Sequence, residues 1–194
     1  MDKIAMISIR RLHLGEGKLY KEIRLASLKE SPESFTSTLE SALARTWSSW
    51  NEQADSSAAG PDRAAFIVFS SDSPIGIAAL YQDSEIKDEG EILHVWISPQ
   101  FRGRGVAVKL IDAIFEWAKT NRFQRVRATI TKGNERALQF YRKCGFVFAN
   151  ESSLDPEDSV LIKQMPLGQI AGESGAPPAR VSSARNRSPG PAPG

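Results

Sequence analysis

At 194 residues the chain is long enough for one domain with a buried core that needs no disulfide or metal staple. Hydrophobic residues at 41% and charged residues at 25% exclude a fibrous or wholly disordered class, and the single cysteine, Cys144, excludes an internal disulfide and fits a reducing, cytoplasmic setting. The net charge of +2 resides in residues 168–194, where Arg180, Arg185 and Arg187 face Glu173 alone; the rest of the chain is neutral, which argues against nucleic acid as a partner.

In chain order, the β-branched positions Ile4, Ile7 and Ile9 predict a first strand over 3–14. The period then becomes helical from Glu16 to Lys29 through Leu19, Tyr20, Ile23, Leu25, Ala26 and Leu28, and Ser31-Pro32 ends that helix. A second helix is expected over about 37–54, with Trp47 and Trp50 as packing residues. Apolar runs at 66–70 and 75–81 around Ser71-Asp72-Ser73-Pro74 predict a hairpin. Residues 91–98 are apolar at Ile92, Leu93, Val95, Trp96 and Ile97 without alternation, the pattern of a central strand.

Pro99 closes that strand, and 103–120 reads as an amphipathic helix through Val106, Leu110, Ile111, Ile114, Phe115 and Trp117. A strand over 126–131 follows. Asn134 then caps a helix that Gly145 ends, and strands near 146–150 and 159–166 complete a body over 1–167. In 168–194, Gly, Ala, Pro and Ser fill 19 of 27 positions, so a disordered tail is expected. No apolar run nears the roughly 20 residues that span a bilayer, and the chain start lacks the apolar stretch of a leader, so no membrane partner is expected.

The chemistry concentrates where the central strand turns into the helix. Backbone N–H groups and the positive dipole end of a helix N-terminus bind phosphate oxygens. Gly103 and Gly105 let the backbone turn sharply and approach a ligand, and Arg102 and Arg104 add charge suited to a pyrophosphate. A P-loop would need Lys and Ser/Thr after Gly105, where Val106 and Ala107 stand. A dinucleotide fingerprint would need glycine at Val108.

Val95-Trp96-Ile97-Ser98-Pro99-Gln100-Phe101-Arg102-Gly103-Arg104-Gly105-Val106-Ala107 resembles the acetyl-CoA signature of the GNAT superfamily of N-acetyltransferases. Asn134-Glu135-Arg136-Ala137-Leu138-Gln139-Phe140-Tyr141-Arg142-Lys143-Cys144-Gly145-Phe146 resembles its second element, beside the pantetheine arm. The resemblance implies an α/β (α+β) GNAT fold: a mixed, mostly antiparallel sheet of six to seven strands, with splayed central strands and about four flanking helices. It implies acetyl-CoA as cosubstrate, held by Trp96, Ile97, Ser98, Arg102, Gly103, Arg104, Gly105, Val106, Ala107 and Asn134, with backbone N–H groups of 96–98 polarising the thioester carbonyl. The partner is an amine acceptor, a peptide among the candidates, and a homodimer is an allowed assembly.

By the same resemblance Tyr141 protonates the leaving thiolate, a role suited to a phenol with an unperturbed pKa near 10. Glu91 is the candidate base: it lies six residues before Ile97, and period-2 alternation places the two on one strand face unless a bulge intervenes. His94 has the opposite parity and reads as packed against a helix. Cys144, in a helix's last turn without a nearby His, does not read as a nucleophile. No His/Cys/carboxylate cluster has metal-ligand spacing, so no metal is expected.

The acidic residues Glu33, Glu151, Asp155, Glu157 and Asp158 in 31–38 and 151–158 favour a cationic amine. Transfer of a longer acyl group and a catalytically silent CoA-binding module are the alternatives.

Overall fold

The computed structural model describes residues 6–149 and 158–166. The tail, Glu151, Asp155 and Glu157 therefore lie outside the described residues. The described residues form one seven-stranded sheet in the order β1-β2-β3-β4-β5-β7-β6. Its strands are β1 (Ile7–Arg11), β2 (Arg63–Ser70), β3 (Ser73–Gln82), β4 (Glu89–Ile97), β5 (Arg125–Thr131), β6 (Val147–Phe148) and β7 (Asp158–Gln164). The pairing is antiparallel except between β4 and β5. Among the described residues five α-helices accompany it: α1 (Gly17–Glu30), α2 (Leu39–Leu43), α3 (Trp47–Ala59), α4 (Val106–Thr120) and α5 (Glu135–Lys143).

The single helix expected over 37–54 is two. Thr38 accepts a hydrogen bond from the N–H of Ser41 and Thr46 one from that of Ser49, so each threonine caps a separate start. Trp50 is buried in the core, but Trp47 is 51% exposed, with the Lys21 ammonium 5.8 Å from its ring centre.

Helices cover both faces of the sheet, and strand alternation divides the core accordingly. Ala78 and Leu80 of β3 join Val106, Leu110, Ile111, Ile114 and Phe115 of α4 on one face. Ile77 and Ala79 turn to the other, with Tyr20, Ile23 and Leu28 of α1 and Trp50 and Ala54 of α3. Each fully buried large aliphatic side chain contributes about 1.5–3 kcal/mol, which makes these two layers the main source of stability.

In β4 that alternation fails. Ile77 pairs with Trp96 and Ala79 with Leu93, so two steps along β3 span three along β4. The extra residue is a bulge containing His94 in a left-handed conformation at φ 61°. On the other side β4 pairs with β5 only through Glu89–Arg125, Gly90–Val126 and Glu91–Arg127. Beyond Glu91 the two central strands part. Among the described residues the edge of β4 facing β5 is therefore unpaired from Ile92 onward, beside the bulge.

Candidate active site

Four elements converge on the opening between β4 and β5: the bulged end of β4, the turn into α4, helix α5 and the base of the split. At the turn, Gly103 and Gly105 both adopt φ 76°, a region costly to residues with a Cβ. Nothing lies within 4 Å of where a Cβ would sit on either, so the conformation and the open approach, rather than internal crowding, call for glycine. Gly105 is the N-cap of α4, and no side chain caps the helix. Its first N–H groups thus stay available to an anion, with the helix dipole behind them. Val106 is buried and anchors the first turn, Ala107 is half-buried, and Arg104 is exposed with its guanidinium 5.9 Å from the Phe101 ring centre.

Arg102, also expected at the cofactor, makes contacts within the protein. Its Nε donates to the Ile97 carbonyl at 2.7 Å, and its Nη2 contacts Glu30 and Ser31. The buried Trp96 donates its indole N–H to the same Glu30 carboxylate at 2.9 Å. Hydrogen bonds from Ser31, Trp96 and Arg102 pull Glu30 down to about 2, so the carboxylate stays ionised. The Arg102 and Trp96 side chains therefore tie the end of α1 to the β4–α4 turn.

Of the backbone donors expected at 96–98, Ser98 N–H is taken by the Ile75 carbonyl at 2.8 Å. Antiparallel alternation makes Trp96–Ile77 the next bonded pair and turns the Ile97 N–H toward the open edge.

Asn134 is the N-cap of α5, accepting from the Ala137 N–H at 3.1 Å. On that helix Tyr141 is buried, in edge contact with Phe140 and Phe146. The expectation of an unperturbed phenol does not hold: burial first, then Cys144 and Glu91, push its pKa well up. That influence places Glu91 within electrostatic reach of the phenol. The Cys144 thiol is pushed up to about 11, chiefly by burial, which leaves it protonated and inert.

Glu91 stands at the last β4–β5 pair. Its carboxylate accepts from Thr129 Oγ1 at 2.7 Å and lies 3.7 Å from Arg127 Nη2. The bulge overturns the parity argument: pairing opposite Tyr81 puts Glu91 on the α1/α3 face with Trp96, whereas Ile97 pairs with Gly76 and faces α4. His94 lies on Glu91's face too, in edge contact with Tyr81 at 5.9 Å between ring centres.

Beneath Glu91 is a charge cluster the sequence reading missed. Glu89 is fully buried and ion-paired with Arg125 and Arg127, while Arg127 also binds Asp83 at 2.8 Å. It fastens β4 to β5 below the point of parting. Alternating charge at Glu89, Glu91, Arg125 and Arg127 was its only sequence signal.

Among the described residues no helix is long and apolar enough to cross a membrane, and no group of three or more His, Cys, Asp or Glu could hold a metal ion.

Residues 25–146 match the family model described as the acetyltransferase (GNAT) family. An uncharacterized N-acetyltransferase of Methanocaldococcus jannaschii is 31% identical over 77 residues, 38% of this chain and 34% of that protein, so the match spans about a third of the relative's length. A GNAT-family acetyltransferase structure from Streptococcus pneumoniae superposes with a TM-score of 0.69 at 17% identity, covering 82% of this chain and 99% of the other. The PaiA N-acetyltransferase of Thermoplasma acidophilum, solved with coenzyme A, gives 0.64 at 20% identity, over 82% and 99%.

Proposed function

We propose that this chain, which belongs to the acetyltransferase (GNAT) family, moves an acetyl group from acetyl-CoA directly to a primary amine of a small molecule or peptide. The observation that carries this reading is the uncapped N-terminus of α4 behind Gly103 and Gly105, at the open end of a split between parallel strands. The donor brings an activated thioester. The chain's contribution is to hold and orient it and to manage two protons.

The pyrophosphate sits on the N–H groups of α4, with the exposed Arg104 as counter-charge. The thioester lies along the unpaired edge of β4, where the Ile97 N–H hydrogen-bonds its carbonyl and favours charge developing there. Glu91, oriented by Thr129, takes a proton from the acceptor's ammonium directly or through water. Tyr141, its proton held by burial, gives that proton to the departing thiolate. A thiolate forming in the same apolar surroundings is itself raised, as Cys144 shows for a thiol nearby, and this narrows the mismatch with the phenol. Asn134 shapes the start of α5 and so positions Tyr141.

Incubating the chain with acetyl-CoA and a panel of primary amines, and following CoA release together with the mass of the amine, tests the reading. Amine-dependent CoA release with a 42-dalton gain on the amine is the expected result, 42 being about the mass of an acetyl group less one hydrogen. Release that is independent of every amine, or no release at all, contradicts it.

A further inference from the structure

Helix α1 carries an arginine where its period calls for an apolar residue. Arg24 lies four residues after Tyr20 and four before Leu28, on the face turned to the sheet, and is 4% exposed. Its hydrogen bond is from Nη1 to Ser27 Oγ at 3.0 Å. Arg45, between α2 and α3, stacks over Trp50 at 4.0 Å and donates through Nε and Nη2 to Ser49, leaving Nη1 unengaged. Among the described residues neither guanidinium forms an ion pair. A buried cation without a counter-charge is strongly unfavourable, and the half-buried Arg45, within electrostatic reach of Arg24, adds like charge rather than relieving it.

Both arginines line one pocket of about 90 Å³ together with Tyr20, Trp50, Gln53 and His94. Two of its other lining groups also lack partners: Trp50 Nε1 and His94 Nδ1 are buried with no hydrogen bond. Burial, then Arg24 and Arg45, hold His94 down to about 3, so it supplies no charge of its own. Gln53 donates to the Tyr81 hydroxyl at 2.9 Å, and that hydroxyl lies 3.4 Å from the hydroxyl of Tyr20. Among the described residues the wall is thus rich in donors and contains no carboxylate. It ends at His94, in the β4 bulge, on the face that carries Glu91.

We infer that this pocket binds the carboxylate of the acceptor, so that the amine substrate is amino-acid-like, with its carboxylate between Arg24 and Arg45 and its amine reaching the bulge of β4. The inference rests on the acetyltransferase reading. A pocket this small holds a carboxylate and a few carbons rather than a whole large ligand, which leaves the amine to extend toward the split. The arginine forks match a carboxylate in both charge and shape. A phosphate would meet the same donors, and the test separates the two.

CoA release is measured for the full chain with L-2,4-diaminobutyrate and L-lysine, with 1,3-diaminopropane and cadaverine as the same amines without carboxylate, and with O-phosphoethanolamine. The parent is compared with Arg24→Met and Arg45→Gln, each checked for an unchanged melting temperature. The carboxylate-bearing amines should show kcat/KM about tenfold or more above the diamines, the loss of one charged hydrogen bond being worth about that factor. Each variant should raise the amine KM about tenfold, leave the acetyl-CoA KM within about twofold, and shrink the preference. Equal use of diamines and diamino acids, preference for O-phosphoethanolamine, or a preference untouched by the variants overturns the proposal. If Arg24→Met does not fold, the half-buried Arg45→Gln decides. If no amine is acetylated, the transfer reading is at fault, and calorimetry of the same two diamino acids with CoA-saturated protein decides the pocket: heat lost in the variants upholds it, and no heat overturns it.

Discussion

The carboxylate of Glu91 accepts a hydrogen bond from Thr129 Oγ1 at 2.7 Å, across the point at which β4 and β5 part. Backbone pairing ends there and a side-chain bond takes over, so the proposed base is fixed by both strands that frame the split. Glu91→Gln keeps the size and polarity but cannot take a proton. Its kcat should fall about 10²-fold at neutral pH and recover as pH nears the acceptor amine's own pKa. Thr129→Val, which leaves the base but frees its orientation, should lower kcat less and keep the parent pH profile. A parent-like profile for Glu91→Gln would assign the proton to another group.

Tyr141→Phe retains the ring that packs on Phe140 and Phe146 and removes the hydroxyl. Melting temperature and acetyl-CoA affinity should hold while kcat falls about 10²-fold. Parent turnover with chemistry rate-limiting would make Tyr141 a core aromatic only.

Glu89 is a buried charge whose partners are Arg125 and Arg127. Glu89→Gln leaves both guanidiniums at the β4–β5 seam without it and should cost about 3 kcal/mol in urea denaturation. A change below about 0.5 kcal/mol would show that the cluster is solvated and the seam is held by backbone bonds alone.

His94 gives a pH dependence with a defined sign. Its folded value lies near 3 against an ordinary 6.5, so between those values the unfolded chain binds the proton and the folded chain does not. Its contribution to stability is complete above about pH 6.5 and is lost as pH falls below that. His94→Asn, which tolerates the left-handed backbone, should flatten the fall in melting temperature between about pH 7 and 5, above the range where carboxylates titrate. An unchanged slope would assign it to other groups.

How far the sequence carried varied with how local each signal was. The strand, glycine turn and helix of 91–120 were legible because each rests on neighbouring residues: the apolar run, the two glycines and the 3.6-residue period of α4. The bulge was not, since His94 adopts its left-handed conformation without the glycine that usually marks one, and two facing strands are needed to show the extra residue. Losing it cost the parity of Glu91. In α1 the apolar list chose Leu25 and Ala26, yet Arg24 and Ser27 are the buried positions and Ala26 is exposed. The spacing Tyr20, Arg24, Leu28 was a signal for that, hidden by the assumption that a charged residue faces water. The break before α3 was written in Thr46 and Ser49, but a continuous helix fits the same apolar positions.

Pyrophosphate binding at the start of α4 is tested most directly by the acetyl-CoA affinity of the parent, Gly105→Ala and Gly105→Glu, measured by titration calorimetry. Both substitutions carry the strain of φ 76°, roughly 1–2 kcal/mol, and only the second adds bulk and negative charge at the N-terminus of α4. The parent should bind, Gly105→Ala should bind more weakly and Gly105→Glu should not bind, with the fold of all three intact by circular dichroism. Gly105→Glu binding acetyl-CoA as tightly as Gly105→Ala would contradict pyrophosphate binding there.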